Sequence, residues 1–184
     1  DLLLEHTGIP TLAAVVEARA ALLDMKAAGE VQLIISGGIR HGADAAKAIA
    51  LGADAVSIGI AALIALNCNA PLYLEDYAKL GTQPGHCHHC FTGRCPVGIT
   101  TQDPELTQRL DIEAGAERVT NFLNAMTLEI QMLARACGKN SVHDLEAEDM
   151  RALTLESSLI TGIPMVGMRE PIHFGSYACK HRHP

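Results

Sequence analysis

Leu12, Val15, Val16, Leu22 and Leu23 recur at helical spacing and Gly29 closes the pattern, which predicts an amphipathic helix near the start of the chain. The period then changes. VQLIIS (31–36) is a continuous apolar run rich in branched residues, which predicts a strand buried on both faces, as in parallel sheets. GGIRHG turns the chain, ADAAKAIALG (43–52) reads as a helix ended by Gly52, and DAVSIGI (54–60) reads as a second buried strand. Residues 31–60 thus form one βαβ unit of about the usual 30-residue size.

Beyond it, AALIAL (61–66) continues as a helix towards Cys68. Residues 69–112 show no clear period and carry Pro71, Pro84, Pro96 and Pro104, with LYLEDYAKL (72–80) as a short helix inside a long structured excursion. A loop of that length usually needs an organising ligand or a function. Val119, Phe122, Leu123, Met126, Ile130 and Leu133 then mark a strong amphipathic helix closed by Gly138, and a shorter helix is expected around 146–158. The tail from Gly162 to Pro184 has no period. The apolar stretch Ala55–Leu66, interrupted by Gly59, is too short to span a bilayer.

Composition narrows the function classes. With 184 residues and 48% apolar content, the chain can bury a core of one domain. A net charge of −7 argues against nucleic acid or an anionic membrane surface as the main partner. Three Phe, three Tyr and no Trp leave few stacking platforms for bases. Six cysteines without a signal-like start point to a reducing, cytoplasmic setting and to metal use rather than disulfides. The chain begins with Asp1 inside a helix-and-strand pattern, which reads as the later part of something longer.

The chemistry concentrates in HCHHCFTGRCP, where Cys87, Cys90 and Cys95 are spaced C-x2-C-x4-C with Pro96 after the last, and Cys68 lies upstream. Thiolates two residues apart reach a common ion or cluster, and proline after a ligand cysteine is shared with bacterial-type iron–sulfur runs. Zinc held by Cys87, Cys90, Cys95 and one of His86, His88 or His89 is an alternative, as is a metal-free loop held by packing. A second constellation is Ser36-Gly37-Gly38 after the first strand and Gly59 after the second. Glycines at the carboxyl ends of parallel strands let backbone N–H groups approach a phosphate, although they also simply permit tight βα turns. Arg40 and His41 follow the glycine turn, facing either phosphate or solvent, and Lys47 reads as a solvated helix face. Cys137 reads as a small buried hydrophobe, and Cys179, near His173, His181 and His183, as part of a solvated end. His6 and Glu5 have no partner visible in sequence.

SGGIRHGADAAKAIALGADAVSIGIA is similar to the last two strands of barrels that bind FMN or a nucleotide through its phosphate. ALIALNC, CFTGRCPVGITTQDPEL and FLNAMTLEIQMLARACGKNSVHDLEAEDMRAL resemble more specifically the synthase domain of the glutamate synthase large subunit, over roughly residues 1–158. The resemblance implies an α/β fold: the C-terminal part of an FMN-binding (β/α)8 TIM barrel, with an iron–sulfur loop and a helical closing segment. The last βα units would occupy 1–66, the cluster loop 67–112, the closing helices 113–160 and an irregular tail 161–184. Earlier strands would come from another segment or subunit, within an oligomer.

The same resemblance makes Cys68, Cys90 and Cys95 the first, second and third cluster ligands. The family's three-iron pattern, C-x5-C-x4-C, is not matched here, because 21 residues separate Cys68 from Cys90 and Cys87 is an additional candidate. Four cysteines would suit a four-iron cluster. Ser36, Gly37, Gly38, Gly59, Ile60 and Arg40 would serve FMN. The implied reaction is FMN-dependent reductive amination of 2-oxoglutarate to L-glutamate, with electrons relayed by the cluster from an electron-donor protein or an NAD(P)H-oxidising subunit. The amine donor is open, and an N-methylglutamate synthase-type subunit using methylamine and glutamate is the nearest alternative. A non-catalytic electron-transfer or zinc-stabilised module is the more distant one. No catalytic acid or base is assigned.

Overall fold

The structure, a computed structural model, describes residues 7–172, so His6, Glu5, Cys179 and the histidines at 173, 181 and 183 lie outside the described residues. The chain divides into two compact units, Asp1–Ile58 with Thr127–Pro184, and Gly59–Met126.

In the first unit, helix α1 (Thr11–Asp24) precedes strand β1 (Ile34–Ser36), helix α2 (Gly42–Ala50) and strand β2 (Ala55–Ser57). The strands pair in parallel with Ile34 opposite Ala55 and Ser36 opposite Ser57, so β1-α2-β2 is the βαβ unit that the change of period predicts. Alanine makes it tight. Ala45 and Ala48 of α2 are fully buried, because a methyl side chain lets a helix lie close against its neighbours. Lys47 faces solvent, as expected. Gly52, at φ +112°, ends the helix where a Cβ would meet the Arg19 side chain.

Burial on both strand faces is not found. Ile35 is buried, but Ile34 is 62% exposed, and nothing among the described residues covers its face of the two-stranded sheet. The helix expected around 146–158 is also broken up. Residues Val142–Asp144 and Ala147–Asp149 form single 3₁₀ turns. The Asp144 and Asp149 carboxylates accept from the N–H groups of Ser141 and Glu146, which caps each turn after three residues. The last helix of this unit starts only at Leu155, with Thr154 as its cap, and ends at Thr161 before Gly162. Its core joins Ala46 and Ala50 to Ala134 and Leu145.

The second unit holds helices α3 (Ile60–Ala65), α4 (Leu74–Lys79) and α5 (Pro104–Thr107). Asp103 caps α5 by accepting from the N–H groups of Glu105 and Leu106, with Pro104 at the first helical position. Helix α6 (Ile112–Ala136) is continuous, and its residues as far as Met126 belong to this unit. Its Arg118 Nε donates to the Ala65 carbonyl, closing the end of α3. Met126 is buried on the predicted stripe, whereas Leu123 is turned to solvent. No helix among the described residues is long and apolar enough to cross a membrane.

Candidate cysteine-lined cofactor site

The four cysteines singled out by spacing lie in the second unit and line one cavity, together with Leu63, Tyr77, His89, Val97 and Thr100 among others. The chain brings them there in two pieces. Cys68 sits just after α3, in a turn flanked by Asn67 (φ +79°) and Asn69 (φ +62°), residue types that tolerate the left-handed conformation. The second piece, 87–95, is pinned at its far end: Thr101 donates to the Gly93 carbonyl, and the Gly98 N–H donates to the Cys95 carbonyl. Gly98, at φ +82°, has no room for a side chain, because a Cβ would run into the backbone carbonyl of Leu106.

A small core backs the cavity, made of Ala70, Tyr77, Cys95 and Val97, with Cys87 and Ile99 packed against it. Cys95 is buried and Cys90 exposed, with Cys68 and Cys87 between. Burial, with the Cys87, Cys68 and Cys95 sulfurs nearby, pushes the Tyr77 hydroxyl up to about 12, so it stays protonated. Arg109 braces this wall. Its Nη1 donates to Asp76 Oδ2 and to the Pro96 carbonyl, both at 2.8 Å, and its guanidinium stacks 4.2 Å from the Tyr73 ring centroid.

The electrostatics suit a cationic guest. Burial pushes the Cys68 thiol up, and the sulfurs of Cys90, Cys95 and Cys87 push it further. Burial also opposes ionisation of Cys95, but the backbone N–H groups of Thr100, Ile99 and Val97 outweigh it and hold this thiol below its usual value. N–H groups aimed at a cysteine sulfur are one means by which proteins tune iron–sulfur centres. Three buried side-chain atoms among the described residues find no hydrogen-bond partner, Asn69 Oδ1, His89 Nδ1 and Thr100 Oγ1, and all three residues line this cavity. The Thr100 hydroxyl is near enough to favour the Cys95 thiolate without forming a well-aligned bond. An unpaired buried group costs about 1–3 kcal/mol, so these three atoms are the polar groups of the cavity wall open to a further partner.

The donor set fits an iron–sulfur cluster: four thiols around one cavity, with N–H groups aimed at the most buried of them. Among the described residues, no group of three His, Cys, Asp or Glu side chains is arranged to hold a single metal ion. A polynuclear core spreads its ligands wider than one tetrahedral ion does. Cys137 is exposed after α6 rather than buried as its surroundings in sequence suggested.

The phosphate-type residues sit at the strand ends. Ser36 closes β1 and is followed by Gly37 (φ +116°) and Gly38 (φ +68°), while Gly59 follows β2 and precedes Ile60 at the start of α3. Thr11 Oγ1 donates to the Gly37 carbonyl. Arg40 is already engaged, with Nε 3.1 Å from Asp44 Oδ2. His41 lies half-exposed, 3.6 Å from Asp44 and 3.9 Å from Glu129. Glu129 was not legible in sequence: its Oε2 accepts from the Gly42 N–H at 2.7 Å, closing the N-terminus of α2 with a carboxylate. Tyr77 and Arg109 were likewise unmarked by any spacing, whereas Asn69 adjoins Cys68 and Thr100 lies five residues after Cys95.

Residues 1–140 match the family model for the conserved region in glutamate synthase. The glutamate synthase large subunit-like protein of Rhizobium meliloti is 53% identical over 167 residues, which cover 91% of this chain and 38% of the relative. The archaeal glutamate synthase (NADPH) of Methanocaldococcus jannaschii is 45% identical over 141 residues, covering 77% of this chain and 24% of the relative. The ferredoxin-dependent glutamate synthase of Pyropia yezoensis is 27% identical, covering 79% of this chain and 8% of the relative. The chain thus spans well under half the length of these curated relatives. No solved structure matches it.

Proposed function

The chain belongs to the glutamate synthase family, and from that membership we propose that it carries the cofactor-bearing end of an FMN-dependent enzyme that aminates 2-oxoglutarate to L-glutamate with electrons delivered through an iron–sulfur cluster. When bound, the flavin supplies hydride to an imine of the oxoacid, and the cluster supplies electrons singly. The observation that carries the reading is the convergence of Cys68, Cys87, Cys90 and Cys95 on one cavity. These four are the cluster ligands, and four thiols favour a four-iron core in which each iron has its own thiolate. Buried Cys95, with N–H groups aimed at its sulfur, is the anchor of the set.

In this reading β1 and β2 are the last two strands of a (β/α)8 barrel, supported by their parallel pairing across a helix. The flavin phosphate is held by backbone N–H groups at Gly37 and Gly38, beyond Ser36, and at Gly59 and Ile60. The start of α2 is a poor alternative, because Glu129 already occupies the Gly42 N–H with negative charge. Arg40 contributes little, since Asp44 holds its guanidinium. An NAD(P)H-oxidising subunit or donor protein completes the electron supply.

The test is a visible and electron-paramagnetic spectrum of the complete, natively purified protein, with iron and acid-labile sulfide assays. Flavin bands over a broad cluster shoulder are expected, with about four irons per chain. Flavin without iron would remove the relay and leave the barrel reading; neither chromophore would remove both.

A further inference from the structure

Asn69, His89 and Thr100 hold the three buried, unpartnered side-chain polar atoms of the described residues, and they surround the same cavity as the cysteines. We propose that these three side chains are hydrogen-bond donors to the sulfurs of the iron–sulfur cluster and set its reduction potential. The inference rests on the cluster reading above and deepens it.

Each donor travels with a ligand. Asn69 follows Cys68 directly, His89 lies between Cys87 and Cys90, and Thr100 is five residues after Cys95. Every cysteine-bearing stretch therefore brings one uncommitted polar group to the cavity wall. Cluster sulfides and thiolates are anionic acceptors, so the groups that face them must donate. His89 does so with its proton on Nδ1, Thr100 through its hydroxyl, and Asn69 by a half-turn of its amide that presents NH₂. Asn69 adopts the left-handed backbone (φ +62°) that asparagine tolerates, and its Oδ1 is buried at the cavity wall. The backbone N–H groups of Val97, Ile99 and Thr100 already serve Cys95, beside which the Thr100 hydroxyl also lies, so Asn69 and His89 are the side chains nearest the other cysteines in sequence.

Donors stabilise the reduced, more negative cluster more than the oxidised one, so they raise its potential. Redox titration of the complete protein, followed by electron-paramagnetic resonance, tests this with Thr100→Val, Asn69→Gly, His89→Leu and His89→Gln. The first three are expected to move the midpoint to more negative values with iron and sulfide contents unchanged. His89→Gln, which keeps an N–H donor, is expected to return it towards the parent value. Parent-like midpoints in all the fully loaded variants would overturn the inference and leave the cluster reading intact. If His89→Leu sheds its cluster, Thr100→Val, which exchanges only a hydroxyl for a methyl, decides the question alone. A parent protein free of iron and sulfide would remove the cluster reading, and the inference with it.

Discussion

The two units of this chain are stabilised in opposite ways. The βαβ unit packs through small side chains: Ala45 and Ala48 are fully buried, and the Leu33 and Gly42 N–H groups donate to the carboxylates of Asp54 and Glu129. The cysteine unit has only a small core, Ala70, Tyr77, Cys95 and Val97, set beside a cavity with three unpaired polar atoms. The first region leaves Ile34 and its sheet face uncovered, while the second leaves three polar atoms of its cavity wall without a protein partner. The family match spans both, and the four cysteines singled out by spacing lie in the second.

The strongest way to break this contrast is to remove the proposed cluster. Chelation of iron from the complete protein is expected to speed amide exchange across residues 68–101 by tenfold or more, because metal binding and local folding are coupled. Exchange across 34–57 should be unchanged. Equal protection in both regions, with and without iron, would show that the cysteine unit holds by packing alone. Next in size is Gly98→Ala. With φ at +82° and the Leu106 carbonyl in the way, the substitution should cost about 3 kcal/mol or more. It should also bleach the cluster absorption, since Cys95 is hydrogen-bonded through this same turn.

What the sequence disclosed follows the same division. The βαβ unit was legible because its signal is periodic and local, and the cysteines because ligand spacing is local too. The braces of the site were not. Arg109 meets Asp76 across 33 positions and Glu129 meets Gly42 across 87, and no periodicity reports a pairing at that range. The helix expected near 146–158 gives way to a single turn at its start because Glu146 and Asp149 cap one another, a side-chain preference that outcompetes helix propagation. Ile34 reads as buried because its neighbours are apolar, yet no described residue covers it. The barrel and its flavin are expectations carried by resemblance rather than by any residue pattern.

A smaller perturbation aims at the packed unit. Ala48→Leu adds three carbons at a fully buried position of α2 and should destabilise by about 1–3 kcal/mol through overpacking. Thermal unfolding measures the loss, while the cluster spectrum of the folded protein should not change. A spectral change at constant iron content would mean that the two regions are coupled more closely than their separate modes of stabilisation suggest.

The smallest effect compares one ion pair from each unit. Lys79 and then Arg109 hold the Asp76 carboxyl below the usual carboxylate range. Partial burial raises Asp44, but hydrogen bonds from the Arg40 side chain and backbone N–H outweigh it and hold this carboxyl low as well. A carboxyl with a lowered folded pKa adds stability above its unfolded value, roughly 4, and that contribution fades as pH falls through the folded value. Acid below about pH 4 should therefore weaken both regions slightly, and salt should blunt the effect, because the pairs are solvent-accessible. Asp76→Asn and Asp44→Asn should each flatten part of this acid limb in unfolding measured against pH. Unaltered limbs in both would assign these pairs no stabilising role. The two substitutions part company in the spectrum. Only Asp76 shares its arginine with the Pro96 carbonyl beside Cys95, so only Asp76→Asn should perturb the cluster bands.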